Sequence, residues 1–446
     1  LEDLLGEDKL RDGLREYLNR HAFANASWPE LITVLAPRAP LDLRAWSQAW
    51  VEQPGLPTIQ TELKLSNGRI TRLAFRQQDP RGKSRVWPQQ LRIAIAGTES
   101  RQQYSATLSQ DVVELPQAVG WPAPRYILPS TAGWAYGQFR LDRDTIAYLL
   151  ATLPAIDDPL TRGSAWVSLW DALLDRQIGP LALFDLALQA VAKESDEQLT
   201  AQFLEDATRL WWRFLTPDER RQRAARFEHI LRQGLDQADS AGRKSAWFTT
   251  LRNVAQTPPT LTWLQKVWNR EITIPGLPLA ETDEINLAVD LALRQTNAAH
   301  DLLTAQLKRI QNPDRKERFA FLMPAISPDS LERRRWFESL ADRTNRRHEK
   351  WVVDGLRYLH HSLRSQASQA LVRPGLEMLR EIQQTGDIFF PKTWLDATLG
   401  GYNSAEVTAT VRDFLRSRPD DYPVRLKMLT LQSADELFRA SEILRN

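Results

Sequence analysis

The chain has 446 residues, 42% hydrophobic and 26% charged, which places it among globular proteins of roughly two to four domains. Lys plus Arg total 58 against 56 Asp plus Glu, a net charge of +2, so there is no electrostatic footprint for a nucleic acid or an anionic membrane surface. Cysteine is absent, which excludes disulfides and thiolate catalysis and fits cytoplasm or periplasm alike, and no run of eighteen apolar residues is present to span a membrane.

The opening residues LEDLLGEDKL carry neither a basic leader nor a signal-peptide core and read as the interior of a longer protein. Leu10, Leu14, Tyr17 and Leu18 predict one apolar face of a helix from about Glu7 to His21. Ser27, three residues before Glu30 and with Pro29 in the first turn, makes a capping-box start for a second helix, which Pro37 and Pro40 end. Asp42 caps a third helix bearing Trp46 and Trp50. These helices are too few for a domain and are expected to be the tail of one.

At Pro54-Gly55 the hydrophobic period changes from 3.6 to 2, with Ile59, Leu63 and Leu65 on one strand face. Asn67-Gly68 marks a hairpin, and further strands are expected at Leu91 to Ile95, Tyr104 to Leu108, Val112 to Leu115, Arg125 to Leu128 and Trp134 to Leu141. Six or seven short strands punctuated by Pro and Gly predict a small β-sandwich, with an exposed loop around Pro80, Gly82 and Pro88. After Asp142 the pattern is helical throughout. Thr216-Pro217-Asp218-Glu219 is a full capping box, and the Trp166/Trp170 and Trp263/Val267/Trp268 groups at helical spacing are read as core. The runs Arg333-Arg334-Arg335 and Arg346-Arg347-His348 read as solvated helix faces. No repeat in residue identity is evident, but seven or eight antiparallel helix pairs would stack into a curved α-solenoid of the HEAT/ARM kind. The expected fold is therefore multidomain α plus β: a helical tail over residues 1–54, a small β-sandwich over 55–141 and a large all-α domain over 142–446.

Several stretches resemble the C-terminal half of gluzincin zinc aminopeptidases of the aminopeptidase N type. GEDKLRDGLREYLNRHAFANASWPEL is similar to the end of that family's thermolysin-like catalytic domain. AWSQAWVEQPGLPTIQTEL resembles its two-tryptophan helix leading into the small sandwich, most of all in actinobacterial-type members, as does the later strand Ala74-Phe75-Arg76-Gln77. Gly133 to Asp142 resembles the strand closing the sandwich, departing from the more usual Arg-Val-Asn-Tyr-Asp, and Arg162 to Leu174 resembles the start of the helical domain. The resemblance implies a parent enzyme that uses zinc to remove N-terminal residues from peptides. It also implies an upstream catalytic domain as partner, over which the helical domain closes to form a peptide cavity.

The chemistry of that parent is not legible here. Such a zinc site needs two histidines one helical turn apart with a glutamate beside the first. The histidines are His21, His229, His300, His348, His360 and His361, no two of them four apart, and His348-Glu349 fails because position 352 is Val352. Met323, Met378 and Met428 are not followed by Glu, so the family's Gly-x-Met-Glu-Asn segment is missing too. No catalytic residue, metal ligand or cofactor site is expected in this chain, with zinc confined to the parent enzyme, and Gly400-Gly401 reads as a turn between helices. One polar cluster remains. Tyr358, His360, His361 and Arg364 make capping and interhelical hydrogen bonds in the plainer reading. In the sharper one His360 and Arg364, four apart, share a helix face on the concave side and meet the carboxyl end of a peptide, to which arginine offers two parallel hydrogen bonds. Two functions stand side by side: the non-catalytic C-terminal part of an aminopeptidase, or a free-standing solenoid scaffold. An apolar face at Leu10, Leu14 and Leu18 with nothing in the chain to cover it favours the first.

Overall fold

A computed structural model describes residues 1–97, 100–131, 133–294 and 297–445, in two compact units, Leu1–Leu186 and Ala187–Asn446. The first unit opens with helices Glu7–Arg20 and Trp28–Leu35. The Ser27 amide donates to Glu30 Oε2 at 2.7 Å, completing the capping box. The two helices meet at Gly13, where a Cβ would lie 2.4 Å from Leu35 Cδ2, so any larger residue there would have to push the Leu35 side chain aside. That contact splits the expected apolar face. Leu10 packs toward the cluster of Leu5, Ile32, Leu35 and Leu43, whereas Leu14 and Leu18 are 37% and 65% exposed.

Asp42 Oδ1 accepts from the amides of Arg44 and Ala45, starting the helix Leu43–Ser47, which widens into a π-helical turn at Gln48–Glu52. Both Trp46 and Trp50 donate their indole N–H to the carbonyl of Pro88, at 3.2 and 3.0 Å. The short helix is thereby fastened to the loop that precedes the third strand. This loop is not wholly exposed as expected. Trp87 is buried beneath the Arg85 guanidinium, 3.9 Å from its ring centroid, and Arg85 pairs with buried Asp79 at 3.3 Å.

The strands are β1 (Thr58–Ser66), β2 (Arg69–Gln78), β3 (Gln89–Ala96), β4 (Arg101–Leu108), β5 (Val112–Glu114), β6 (Tyr126–Leu128) and β7 (Gln138–Arg140). They form two sheets, ordered β5-β2-β1-β7 and β4-β3-β6, with β7 parallel to β1 and every other pair antiparallel. Ile59, Leu73 and Phe75 from the first sheet and Leu91, Ile93, Ile95 and Ile127 from the second share one buried cluster. Asn67 and Gly68, at φ 51° and 70°, supply the left-handed pair that a two-residue hairpin turn requires. Leu65 does not join Ile59 on the buried face. The register shifts between Lys64 and Leu65, and the bulge turns Leu65 outward to 48% exposure. The last strand pairs only over Gln138–Arg140, leaving Trp134 and Tyr136 exposed.

Beyond Asp142 every regular element among the described residues is helical. In the second unit helices near in sequence pack on one another: Pro217–Gln237 on the next helix, Ala241–Val254, and, each across one intervening α-helix, Pro313–Ile326 on Glu349–Leu359 and Phe390–Leu399 on Val424–Ile443. The Thr216 amide donates to Glu219 Oε2 at 2.7 Å and the Glu219 amide to Thr216 Oγ1 at 3.3 Å, closing the predicted box. Two arginines placed on solvated faces by the sequence are buried instead. Arg333 donates to the carbonyls of Ser327 and Pro328 at 2.7 and 2.9 Å, and Arg346 to that of Leu340 and to Glu381. Both tie a helix to the loop before it. Arg334, paired with Glu338 in the open, fits the solvated reading.

Candidate functional site

A cavity of about 860 Å³ lies in the second unit. One wall is the helix Glu197–Arg209 with its π-helical continuation Leu210–Phe214, and a second is the helix Ala241–Val254. The third is made where two chain turns meet: His360, His361 and Ser362 after the helix Glu349–Leu359, and Gly400-Gly401 after Phe390–Leu399. The meeting is intimate. A Cβ on Gly401 would lie 1.5 Å from the carbonyl oxygen of His360, so only glycine permits the approach.

The same junction is held by side chains. Tyr402 is buried and its hydroxyl lies 2.6 Å from His360 Nδ1, while Arg213 donates to the carbonyls of Tyr402 and Leu399 at 3.0 and 3.3 Å. The Asn403 amide group donates to the Arg213 carbonyl at 2.9 Å. Burial pushes His360 down to about 3 and the Tyr402 phenol far above its ordinary value, so both stay neutral. His360 is therefore a neutral acceptor or donor to Tyr402. Its Nε2 is buried with no protein hydrogen-bond partner.

His361 is half-buried on the wall, edge-on to Trp212 with ring centroids 5.1 Å apart. Burial first, then the guanidiniums of Arg294, Arg364 and Arg220, push it down to about 3. Trp212 is itself oriented by donating to Asn253 Oδ1 at 2.9 Å. Glu436 also lines the cavity, bonded to Arg209 and 3.2 Å from Arg213 Nε. Burial lowers the Arg213 guanidinium, and Glu436 partly restores it. The cavity thus combines an indole face with fixed charges and hydrogen-bonding groups, a surface suited to holding an extended polar chain.

The four residues singled out by sequence do not form one cluster on one helix face. The helix ends at Leu359, His360 is its C-cap, and Ser362–Arg364 is a 3₁₀ turn, so the four-residue spacing of His360 and Arg364 no longer places them together. His360 and His361 line the large cavity, whereas Arg364 lines a separate cavity of about 380 Å³. Tyr358 lines neither. Burial, reinforced by Asp290 and Asp354, pushes its hydroxyl up to about 12. Trp212, Arg213, Asn253, Gly401 and Glu436 were not anticipated. Of these positions only the Gly400-Gly401 pair was marked in the sequence, as a turn between helices and not as part of a cavity wall.

Among the described residues, no group of three or more His, Cys, Asp and Glu side chains could hold a metal ion, so the zinc implied by the resemblance has no fitting donor set there. No helix among them is long and apolar enough to cross a membrane.

Comparison with protein-family models finds no match. Among curated proteins, the chain is 26% identical over 287 residues to aminopeptidase N of Streptomyces lividans, covering 61% of this chain and 34% of that protein. It is 22% identical over 342 residues to Tricorn protease-interacting factor F2 of Thermoplasma acidophilum, covering 74% of this chain and 40% of that one. A shorter stretch of 88 residues is 31% identical to aminopeptidase N of Lactobacillus helveticus, 20% of this chain and 10% of that protein. The chain spans about a third of the length of the Streptomyces relative. These likenesses relate the chain to aminopeptidases of the aminopeptidase N type.

Proposed function

We propose that these 446 residues are the non-catalytic C-terminal part of a zinc aminopeptidase that removes N-terminal residues from peptides. In this reading residues 1–54 end a thermolysin-like catalytic domain, 55–141 form a small β-sandwich, and 142–446 form a solenoid of stacked helix pairs that caps the active site. The large cavity, with His360 and His361 on its wall, is the part of the peptide chamber that meets substrate beyond the scissile bond. Contacts so far from the reacting atoms orient the peptide and help exclude water; they supply none of the bond-breaking groups.

The observation that carries the reading is the likeness to aminopeptidase N over 61% of this chain but only 34% of the relative. It is supported by the exposed leucines Leu14 and Leu18 on the first long helix, whose apolar surface suits burial against a neighbouring domain. The test is hydrolysis of a panel of aminoacyl-fluorophore substrates by the chain, with and without zinc, alongside an assay of bound metal. No turnover and no stoichiometric zinc are expected. Turnover with one zinc per chain would overturn the assignment.

A further inference from the structure

The smaller cavity holds a guanidinium whose bonding is incomplete. Its wall is Pro328, Arg333, Leu363, Arg364, Gln366 and Ala367. Arg364 is only 7% exposed, and both its Nη1 and Nη2 are buried with no protein hydrogen-bond partner. The neighbouring Arg333 is differently placed, since it donates to the Ser327 and Pro328 carbonyls and has Asp329 close enough to offset part of its charge. Among the described residues no carboxylate lies within ion-pair distance of Arg364, and the charge that reaches it is that of Arg333, of the same sign. A buried, unpaired cation beside another cation is among the costlier arrangements a protein can hold, and an anion relieves it.

The cavity's chemistry narrows the anion. Two free Nη groups in one plane match two oxygens held 120° apart in a carboxylate. Pro328, Leu363 and Ala367 suit a short hydrocarbon body, which a carboxylic acid carries and inorganic phosphate does not. We propose that Arg364 and this cavity bind a small free carboxylic acid with a short aliphatic chain. Both Nη atoms are closed off in the present conformation, so binding turns the guanidinium toward the cavity, whose wall is open to solvent at Pro328, Leu363, Gln366 and Ala367. The site shares no lining residue with the larger cavity, and its test is independent of the peptidase assignment.

The experiment is thermal unfolding of the 446-residue chain with sodium butyrate, butyramide, inorganic phosphate or sodium chloride at matched ionic strength. At a hundred times its Kd, butyrate is expected to raise Tm by about 5 °C, with butyramide and phosphate matching chloride. Arg364→Met should lose the response while its Tm without acid stays level or rises, because a buried unpaired charge has been removed. Arg364→Lys keeps the charge but not the fork and should weaken butyrate at least tenfold. The proposal is overturned by a wild-type chain that responds to butyrate no more than to chloride, by equal responses to butyrate and phosphate, or by an Arg364→Met variant that still responds or is markedly less stable.

Discussion

Gly401→Ala tests how the wall of the large cavity is built. The added Cβ would sit 1.5 Å from the His360 carbonyl oxygen, 2.7 Å from its carbon and 3.1 Å from the carbonyl carbon of His361. All three are backbone atoms, so no rotamer change relieves the clash. The two turns must separate by about 2 Å, and overpacking of this kind costs about 3 kcal/mol. The separation also pulls the Tyr402 hydroxyl away from His360 Nδ1, leaving two buried polar groups unsatisfied for about 1–2 kcal/mol more. The sum, about 4–5 kcal/mol, corresponds to a fall in Tm of about 10 °C for a unit of this size. A fitting control is Gly242→Ala on the same cavity wall, in the first turn of Ala241–Val254, where the nearest atom to the new Cβ is Glu197 Oε1 at 3.4 Å. That variant should match wild type or gain about 0.5 kcal/mol from the better helix former. Thermal scans followed by far-UV circular dichroism measure both, with near-UV spectra reporting Trp212 beside His361. Gly401→Ala within about 2 °C of wild type and with an unaltered near-UV spectrum would refute the account of the junction.

Acid should weaken the same junction. His360 titrates at about 3 in the folded chain against about 6.5 unfolded, so its contribution is complete above pH 6.5 and is lost as pH falls, reaching about 2–3 kcal/mol by about pH 4.5. A His360→Gln variant, neutral throughout, should show a flatter Tm profile over this range; parallel profiles would contradict the linkage. In the hairpin, Gly68 has φ 70° and open space around it, so Gly68→Val should cost about 2 kcal/mol by backbone strain alone while Gly68→Asn retains most of the stability. Urea unfolding midpoints decide this, and an unperturbed valine variant would mean the turn is not held in the left-handed conformation.

What the sequence made legible was local. Ser27/Glu30, Asp42, Thr216/Glu219 and Asn67-Gly68 each act over two to four residues, and each appears where the spacing put it. Misplacements arose wherever a distant contact or an irregularity intervened. A bulge reversed Leu65, and Gly13 against Leu35 rotated the first long helix so that Leu14 and Leu18 face outward. The helix carrying Tyr358 stops at Leu359, which separates residues that a continuous helix would align. The large cavity draws on positions from Ala201 to Glu436, and no local pattern encodes such a set.

One regularity was present in the sequence as spacing rather than identity. Asp158 and Arg162, Thr216 and Arg220, Asp329 and Arg333, and Asp342 and Arg346 are all four apart, the first residue capping the segment that the second sits in. In each case the arginine is buried and donates back to a carbonyl five or six residues earlier: Arg162 to Ile156 and Asp157, Arg220 to Leu215, Arg333 to Ser327 and Pro328, Arg346 to Leu340 and Ala341. The first turn of a helix is electrostatically unfavourable for a cation, yet the carbonyls of the preceding turn point there and lack partners. Arginine satisfies them because its long stem packs as a hydrocarbon while its fork spans two acceptors. Repetition of the device places four of the chain's 58 basic residues inside. It also sets Arg364 apart. Arg364 follows His360 by the same four residues, but His360 ends a helix instead of starting one, and the Arg364 fork is left without protein acceptors. Where the spacing loses its cap, the guanidinium loses its structural role and becomes free to serve a ligand.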